Sequence, residues 1–444
     1  MKFKKEFWLA ILMLCAGKSA AFDWIFAPNL TLTQRYTDNL RLLITPTRDN
    51  LISTLSPNLD LGYLADDNEL RVNLKVNQLF YIGESNLDFA EKIANLTDTF
   101  YGERWNASMS ARYAEESSFG TQLTENGSGN LLVQVPRFTK SISPTFNYNL
   151  TEKNTLQLSG SYMDVTFGSR PFNSGIGFSD YTFDSISTTA THKFTPKLSF
   201  NLNSSYSIYN AGTNYSGIII LPNPHLSGTT NTYIGDTSYS QNSKTLSYQL
   251  GFNYGYDEQT TIAGSAGIRN SNSHSVFGTE AFVPCGGLLP NKPCPNSFSD
   301  STSTTNGKIY TASINRAFEQ GYLLVSYNQQ LSPASTGNQQ QTEMYNAIAN
   351  YQITDRWETG LNITYLKSSY IAGFANSATA VVTSNNRIYE SISPNIKWKW
   401  TPETTLQFSY TYADQQLVLT NQTATSNNVQ LQLVYNPQTN RQVK

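Results

Sequence analysis

The stretch Leu70 to Val76 reads LRVNLKV and alternates between apolar and polar side chains without a break. Successive side chains of a β-strand point to opposite faces, so this segment predicts a strand with one apolar and one cationic face. The apolar face carries Leu70, Val72, Leu74 and Val76, and the cationic face carries Arg71, Asn73 and Lys75. Such a strand separates an apolar surface from a wet one, as does the wall between lipid and a polar lumen.

The same alternation recurs along the chain. In residues 246–256, Leu, Tyr and Phe alternate with Ser, Gln, Gly and Asn, and in residues 392–400, Ile, Pro and Trp alternate with Ser, Asn and Lys. Further examples lie at 198–208, 361–365 and 406–412. No comparable helical period follows the N-terminal apolar run, so the sequence predicts an all-β protein.

Tight turns and long polar links alternate between these strands. Short turns are predicted at residues 65–68, 151–154, 195–197, 257–259, 319–321, 354–356 and 401–403, and long links at 116–137, 211–239 and 272–304. Transmembrane antiparallel β-barrels have this asymmetry, with short periplasmic turns and long extracellular loops. We count 18 strands, with 16 as the alternative; an even number places both termini on the periplasmic side.

The composition agrees with a barrel in a membrane. Charged residues make up 14% of the chain and aromatic residues 13%, whereas a soluble domain carries about a quarter charged residues. Lipid offers no hydrogen bonds, so a sheet at membrane depth has to close on itself to pair its backbone groups. A soluble β-solenoid or sandwich is the rival fold, but no fixed short repeat is present. The net charge of −2 argues against nucleic acid as a partner.

The N-terminus predicts export. A basic start (Lys2 to Lys5) precedes an apolar run from Phe7 to Ala16, and small residues up to Ala21 match a signal-peptidase site. A membrane anchor is the alternative, but the run is too short for a spanning helix. Residues 1–21 are therefore predicted to be a cleaved signal peptide, 22–436 the barrel and 437–444 a short C-terminal tail. The predicted location is the outer membrane of a Gram-negative cell.

Aromatic residues near strand ends predict girdles at the two water–lipid boundaries. The candidates are Tyr63, Tyr81, Tyr113, Tyr256, Trp357, Trp400 and Tyr412. Amphipathic rings favour this boundary, which makes outer-membrane lipid the first predicted partner. The barrel-assembly machinery is the second, and Tyr435 would serve as the terminal aromatic residue that it recognises.

A function would reside on the wall that faces the lumen. Alternation aims basic and amide side chains inward; the candidates are Arg71, Lys75, Arg112, Lys397, Lys399, Asn73 and Gln249. A ring of Arg and Lys favours anions in a pore, whereas walls of amides and hydroxyls with scattered aromatic rings also suit sugars. The alternative is that these groups only satisfy one another in a water-filled interior.

Other candidate sites are few. Cys285 and Cys294 lie in a Gly/Pro-rich segment and predict a disulfide that clips one loop in the oxidising periplasm. Two thiols without nearby His or carboxylates are too few ligands for a metal site. His192, His225 and His274 are the only histidines, and no nucleophile-elbow motif accompanies them. We therefore expect no enzyme activity, no metal and no cofactor.

Several short motifs resemble those of one family. They are FDWIFAPNLTLTQRYTDNLRL from Phe22, LSPNLDLGY from Leu55 to Tyr63, NQLFY from Asn77 to Tyr81 and SPNIKWKW from Ser393 to Trp400. They are similar to outer-membrane proteins associated with PEP-CTERM/exosortase systems, which are found near exopolysaccharide biosynthesis genes. The resemblance implies an uncharacterised β-barrel linked to polysaccharide export or cell-surface organisation. It supplies no catalytic residues.

Three functional hypotheses follow. The first is a barrel that acts as pore or scaffold in exopolysaccharide export or cell-envelope organisation, with polysaccharide or its export machinery as partner. The second is a general diffusion porin narrowed by the inward-folded 272–304 loop. The third is an outer-membrane hydrolase, which would need a His/Asp/Ser cluster at the rim of a loop near His225 or His274.

Overall fold

The computed structural model describes residues 23–44, 48–123, 134–168, 178–222, 230–283, 296–335, 337–370, 386–418, 421–437 and 440–443. Nearly all of these residues belong to one antiparallel sheet in which each strand pairs with the next along the chain. β1 also pairs with β18, where Leu30–Thr37 run against Tyr435–Asn428. The sheet therefore closes into a barrel of 18 strands, which confirms the predicted fold class and strand count.

The strands fall into two length classes. Fourteen have 13 to 15 residues: β1 Asp23–Thr37, β2 Asn50–Leu64, β3 Asn68–Ile82, β4 Phe89–Tyr101, β5 Trp105–Ser117, β6 Pro136–Asn149, β7 Asn154–Phe167, β8 Asp180–Lys193, β13 Gly321–Pro333, β14 Gln339–Gln352, β15 Trp357–Tyr370, β16 Arg387–Lys399, β17 Thr404–Leu417 and β18 Gln422–Tyr435. The other four have 23 to 26 residues: β9 Leu198–Pro222, β10 Thr230–Gly255, β11 Thr260–Val283 and β12 Asn296–Phe318.

Three short elements complete the described part of the chain. A 3₁₀ turn, Ser85–Leu87, follows β3, and one helical turn, α1 Ser118–Thr121, follows β5. A four-residue strand, β19 Asn440–Val443, lies in the segment predicted to be a tail and pairs with Asp23–Phe26 of β1. β19 thus continues the line of β18 along β1. No helix among the described residues is long and apolar enough to cross a bilayer.

The outer wall is apolar. On β3, Leu74, Val76 and Phe80 are exposed on the outer face, whereas Lys75, Asn77 and Leu79 lie on the lumen face. Aromatic side chains gather where the strands meet the short turns: Trp24, Tyr101, Trp105, Tyr148, Phe194, Tyr256, Phe318, Tyr351, Trp357, Trp400 and Tyr435 are all exposed. An apolar belt edged by aromatic rings is the surface that lipid requires, so the protein is a membrane barrel of the outer-membrane type.

Five of the short turns share one stabilising device. Thr151 accepts hydrogen bonds through Oγ1 from the backbone N–H groups of Lys153 at 3.3 Å and Asn154 at 3.0 Å. The same two bonds recur at Thr195, Thr354 and Thr401. In the 256–259 turn Asp257 takes this role, and hydrogen bonds from Thr260 and the turn backbone hold the pKa of its carboxyl below the usual range. Such side-chain turns hold the strands in register without glycine.

Two predictions about the end of the barrel away from the short turns are wrong. The links 211–239 and 272–304 are mostly strand, because β9 to β12 continue roughly 30 Å past their neighbours. In these extensions the alternation that marks a half-buried strand is absent, because residues 218–221 (IIIL) are all apolar and residues 299–305 (SDSTSTT) are all polar, while the backbone ladder continues. Tyr81 does not belong to an aromatic girdle: it faces inward and is buried with Ile52 and Leu87.

Candidate functional site

The barrel interior divides into a turn half, next to the short turns, and a loop half, next to the long links. Side chains that face the lumen in the turn half keep part of their surface exposed. Nearly all of the fully buried residues lie in the loop half, among them Tyr209, Ser243, Ala334, Leu366 and Arg387. The turn half is therefore an open vestibule, and the loop half is filled.

The predicted lumen cations lie on the vestibule face, and three of the five are neutralised there. Arg71 Nε lies 2.9 Å from Glu69 Oε1, Arg112 Nη2 lies 2.7 Å from Glu116 Oε1, and Lys397 Nζ lies 2.8 Å from Glu358 Oε1. Lys75 and Lys399 make no ion pair with any described residue. Local pairing leaves the wall weakly charged rather than strongly cationic.

Amides and hydroxyls form a continuous polar lining between these cations. Asn73 Nδ2 donates to Asn58 Oδ1 at 2.7 Å and to Asp60 Oδ1 at 2.5 Å, and Arg112 Nη1 donates to Asn95 Oδ1 at 3.2 Å. Hydroxyl pairs cross neighbouring strands at Ser159–Ser187, Ser161–Ser185, Ser205–Ser247, Ser265–Thr311 and Ser393–Thr411. Gln249 joins them by accepting from Ser265 Oγ at 3.3 Å.

The β13–β14 hairpin tip, residues 332–340, fills one side of the loop half. All of its described residues are buried, with Ala334 at 0% and Gln340 at 1% exposure. β12 and β13 pair only from Tyr310–Phe318 to Gly321–Gln329. Beyond these residues β13 and β14 no longer pair with β12. Their tip contacts residues on the lumen face of β9 and β10, which shows that the hairpin turns into the barrel.

Polar contacts fix the tip against the far wall. Tyr239 donates through its hydroxyl to Asn338 Oδ1 at 2.7 Å, and Ser243 Oγ donates to Gln339 Oε1 at 2.6 Å. The Ser335 carbonyl accepts from the Ser179 amide at 2.9 Å. Gly337 has a φ of +85°, and a Cβ there would lie 2.6 Å from Ser179 Oγ, so only glycine fits the turn.

The segment after β5 meets the tip from the opposite side of the lumen. Ser335 Oγ donates to Gln122 Oε1 at 3.0 Å, and both side chains are buried. Phe119 and Leu123 of the same segment pack against Leu42 from the β1–β2 link and Ala424 from β18. Three chain segments from different sides of the barrel therefore meet inside its loop half.

A charged cluster holds the β1–β2 link in place. Glu84 lies 3.3 Å from Arg41 and 2.8 Å from Arg48, and its side chain is 8% exposed. The Arg41 guanidinium also lies 5.9 Å from the centre of the Phe119 ring, within cation–π range. Glu84 thus couples the β1–β2 link to the β3–β4 connection and, through Arg41, to α1.

Residues 36–39 (YTDN) close the barrel seam, where β1 pairs with β18. Asp38 accepts from the Asn427 backbone N–H and from Asn427 Nδ2, both at 2.7 Å. Thr37 and Ser426 share a buried hydroxyl contact of 3.0 Å. Asn39 Nδ2 donates to the carbonyls of Leu43 and Thr425 at 2.7 and 2.8 Å, which starts the inward path of the β1–β2 link.

The remaining residues that the sequence singled out do not come together in one site. Residues 1–21, Cys285, Cys294 and His225 lie outside the described residues, so the signal peptide and the disulfide stay predictions. His274 Nε2 lies 2.8 Å from Asp300 Oδ1, with both side chains about half exposed on β11 and β12. His192 contacts Asn154 at the turn end. In the described part of the chain, no group of three or more His, Cys, Asp or Glu could hold a metal ion.

Sequence reasoning located the vestibule wall but missed the hairpin tip. Its sequence, SPASTGNQQ, has no apolar residue beyond alanine and proline and reads as an ordinary exposed loop. The only local signals are Pro333, which ends β13, and Gly337, which permits the tight turn. Nothing in these residues shows that their partners lie on β9, on β10 and just before β8.

Comparison with known proteins leaves the family open. No protein-family model and no curated protein sequence matches the chain. It is similar to the ferric-catecholate import receptor Fiu of E. coli K12 (9% identity, 95% of this chain and 82% of that one, TM-score 0.44). It is also similar to the ferric yersiniabactin uptake receptor FyuA of Yersinia pestis (9%, 92% and 80%, TM-score 0.46) and to OccAB3 of Acinetobacter baumannii (11%, 94% and 99%, TM-score 0.41). Similarity at this level establishes neither the ligand nor the mechanism of this chain.

Proposed function

We propose that this outer-membrane barrel is a gated conduit for polar solutes, closed in its loop half by the β13–β14 hairpin tip. The burial of the eight described residues of the hairpin tip inside the lumen carries the proposal. A barrel of 16 to 18 strands is wide enough for an aqueous channel. Closure of such a channel therefore depends on what folds into it.

The contacts of the tip suit a gate that reopens. They are hydrogen bonds from hydroxyl and amide groups, and each contributes a net of about 1 kcal/mol because water replaces it on release. An apolar seal of equal area would cost more to expose to water. The tip can therefore leave the wall without disturbing the β-ladder that holds the barrel together.

The lining supports a carbohydrate as the solute class. Sugars need many hydrogen bonds, which rows of Asn, Gln, Ser and Thr supply, and the paired cations leave little net charge to select small ions. This lining is compatible with a role in exopolysaccharide export or cell-envelope organisation. The projecting part of β9 to β12 favours scaffolding as the second candidate, because it offers a surface beyond the membrane for polysaccharide or export machinery.

Planar-bilayer conductance tests the gate. Residues 332–340 are replaced by Asn-Gly, a two-residue turn that joins the paired residues Leu331 and Gln341. A matched control replaces residues 223–229, between β9 and β10, by the same dipeptide. We expect steady conductance from the tip variant and silence from the wild type and the control. A folded but silent tip variant, or a wild type that conducts equally, would contradict the proposal.

A further inference from the structure

Arg269 is a buried cation without an acidic partner. It lies on the lumen face of β11, is 4% exposed, and forms no ion pair with any described residue. Its described hydrogen bond runs from Nη2 to Gln341 Oε1, at 2.9 Å, just below the hairpin tip. Its Nε and Nη1 are also buried and have no partner among the described residues. Buried charges are normally paired, so an arginine left in this state needs an explanation.

The bond to Gln341 occupies one of the two binding edges of the guanidinium. A carboxylate binds arginine through two parallel N–H···O bonds, either at Nε and Nη2 or at Nη1 and Nη2. Nη2 belongs to both pairs and carries two N–H groups, one of which donates to Gln341. Removal of Gln341 would free the edge that this N–H group belongs to.

The surroundings are shaped around this guanidinium. Gly307 lies opposite Arg269 on β12, and a Cβ there would lie 2.7 Å from Arg269 Cζ, so any larger residue would displace the guanidinium. The neighbouring lumen-face residues Ser271 and Ser243 are buried and carry hydroxyls 3.1 Å apart. Hydroxyls can donate to a bound anion, and no described carboxylate forms an ion pair with Arg269 that would compete with it.

We propose that Arg269 is a carboxylate-binding subsite, masked by Gln341 while the hairpin tip fills the lumen. The ligand class is a sugar that carries a carboxylate, such as a uronic acid, because its planar anion matches the guanidinium fork. The proposal rests on the proposed function in one respect: the hairpin carries Gln341, so its movement unmasks the site. A passing acidic sugar would then replace the neutral amide as the partner of Arg269.

Equilibrium dialysis with labelled glucuronate, and with glucose as the uncharged control, tests the subsite on the full chain in detergent. In Gln341→Ala the mask is removed, and we expect glucuronate affinity to rise on the order of tenfold, as for a gained bond to a charged group. Arg269→Lys in the Gln341→Ala background keeps the charge but lacks the fork, so most of the gain should be lost. Glucose binding should stay weak and equal in all variants.

The outcomes separate this inference from the gate. Unchanged glucuronate binding in Gln341→Ala, or a gain that survives Arg269→Lys, would overturn the subsite even if the tip variant conducts. Glucuronate binding that follows Arg269 while the tip variant stays silent would support the subsite and contradict the gate. Resistance of the folded barrel to SDS at room temperature confirms that each variant has folded.

Discussion

The turn half and the loop half of the barrel are built from the same strands, yet only one is filled. In the turn half, polar side chains pair with neighbours one or two strands away, as in Asn73 with Asp60 and Lys397 with Glu358. In the loop half, partners lie far apart in sequence and on different sides of the barrel, as in Ser335 with Gln122. Pairing between neighbouring strands forms the wall of the barrel. Pairing between segments distant in sequence forms the plug, by which we mean residues 332–340 inside the loop half.

The largest expected effect of a single substitution is in the loop half, at Glu84. Glu84→Ala leaves Arg41 partly buried without its acid, and we expect a loss of about 2–3 kcal/mol in the free energy of unfolding, below the full value for a buried pair because Arg41 is partly exposed. The amide of Leu40, which bonds to Arg48 O at 3.0 Å, should exchange its hydrogen faster. Urea titration in lipid vesicles and hydrogen exchange measure the two effects.

The matched control for Glu84→Ala lies on the wall. Lys92 and Glu115 form an ion pair at 2.9 Å on the outer face, where Lys92 lies opposite Val76 and its side chain is 58% exposed. Glu115→Ala should therefore leave both the urea midpoint and the exchange of Leu40 unchanged. Equal losses for the two variants would mean that the loop half is no more tightly built than the wall.

The second largest loss of stability is expected at the barrel seam between β1 and β18. Asp38→Ala removes two hydrogen bonds to Asn427, at least one of them charge-assisted, and we expect a loss of about 2 kcal/mol. Asp66→Ala, in a turn at the other end, is the control. Because Asp38 holds β18 to β1 where the β1–β2 link begins, the loss should come with faster exchange at Asn427 and not at the turn end. A loss below 0.5 kcal/mol, about the level of ordinary surface changes, would remove Asp38 from the closure.

Lumen charge should matter less. In the tip variant, Lys397→Gln leaves Glu358 without its ion pair, and Lys75→Gln removes a cation that no described acid pairs. Each change makes the vestibule more negative by one charge, so the ratio of cation to anion permeability should rise, by less than about threefold, since water and salt screen exposed charges. Reversal potentials in a salt gradient measure it. Loss of all ion selectivity in either variant would contradict this prediction, because a single lysine would then determine the selectivity of the pore.

The smallest effect on stability is expected for the short turns. The pKa of Asp257 is lower in the folded protein than in the unfolded chain, so its contribution to stability is present above the unfolded pKa and lost as the pH falls through the folded one. Asp257→Asn should flatten the dependence of the urea midpoint on pH in this acidic range and leave it unchanged near neutral pH. An undiminished pH dependence would assign the effect to other carboxyl groups.

The wall was predictable from the sequence, because alternation is a local property. Leu70 to Val76 and residues 392–400 have the apolar and polar faces that their sequences indicate, and each predicted short turn joins two strands. Only the turn at 102–104 was missed, where Gly102 closes onto Trp105. Once a turn joins two strands, it fixes which residues of those strands pair.

The plug was not predictable, because its sequence is that of an exposed loop. The porin hypothesis assigned an inward fold to the 272–304 link; its ends belong to β11 and β12 and residues 284–295 lie outside the described residues, whereas the described segment inside the lumen is 332–340. The buried Gln339, Gln340 and Thr342 carry no apolar signal that marks burial. Their placement depends on Tyr239 and Ser243, about a hundred residues earlier in the chain.

The most direct test of the account is the accessibility of one cysteine in each half. Gln249→Cys lies in the vestibule and Ser271→Cys in the loop half; both are made with Cys285 and Cys294 changed to Ser. A charged maleimide that cannot cross lipid is applied to oriented proteoliposomes from the turn side or from the loop side. We predict that Gln249→Cys reacts rapidly from the turn side and not from the loop side, and that Ser271→Cys reacts from neither. Equally rapid labelling of Gln249→Cys from the loop side would contradict closure of the barrel in its loop half.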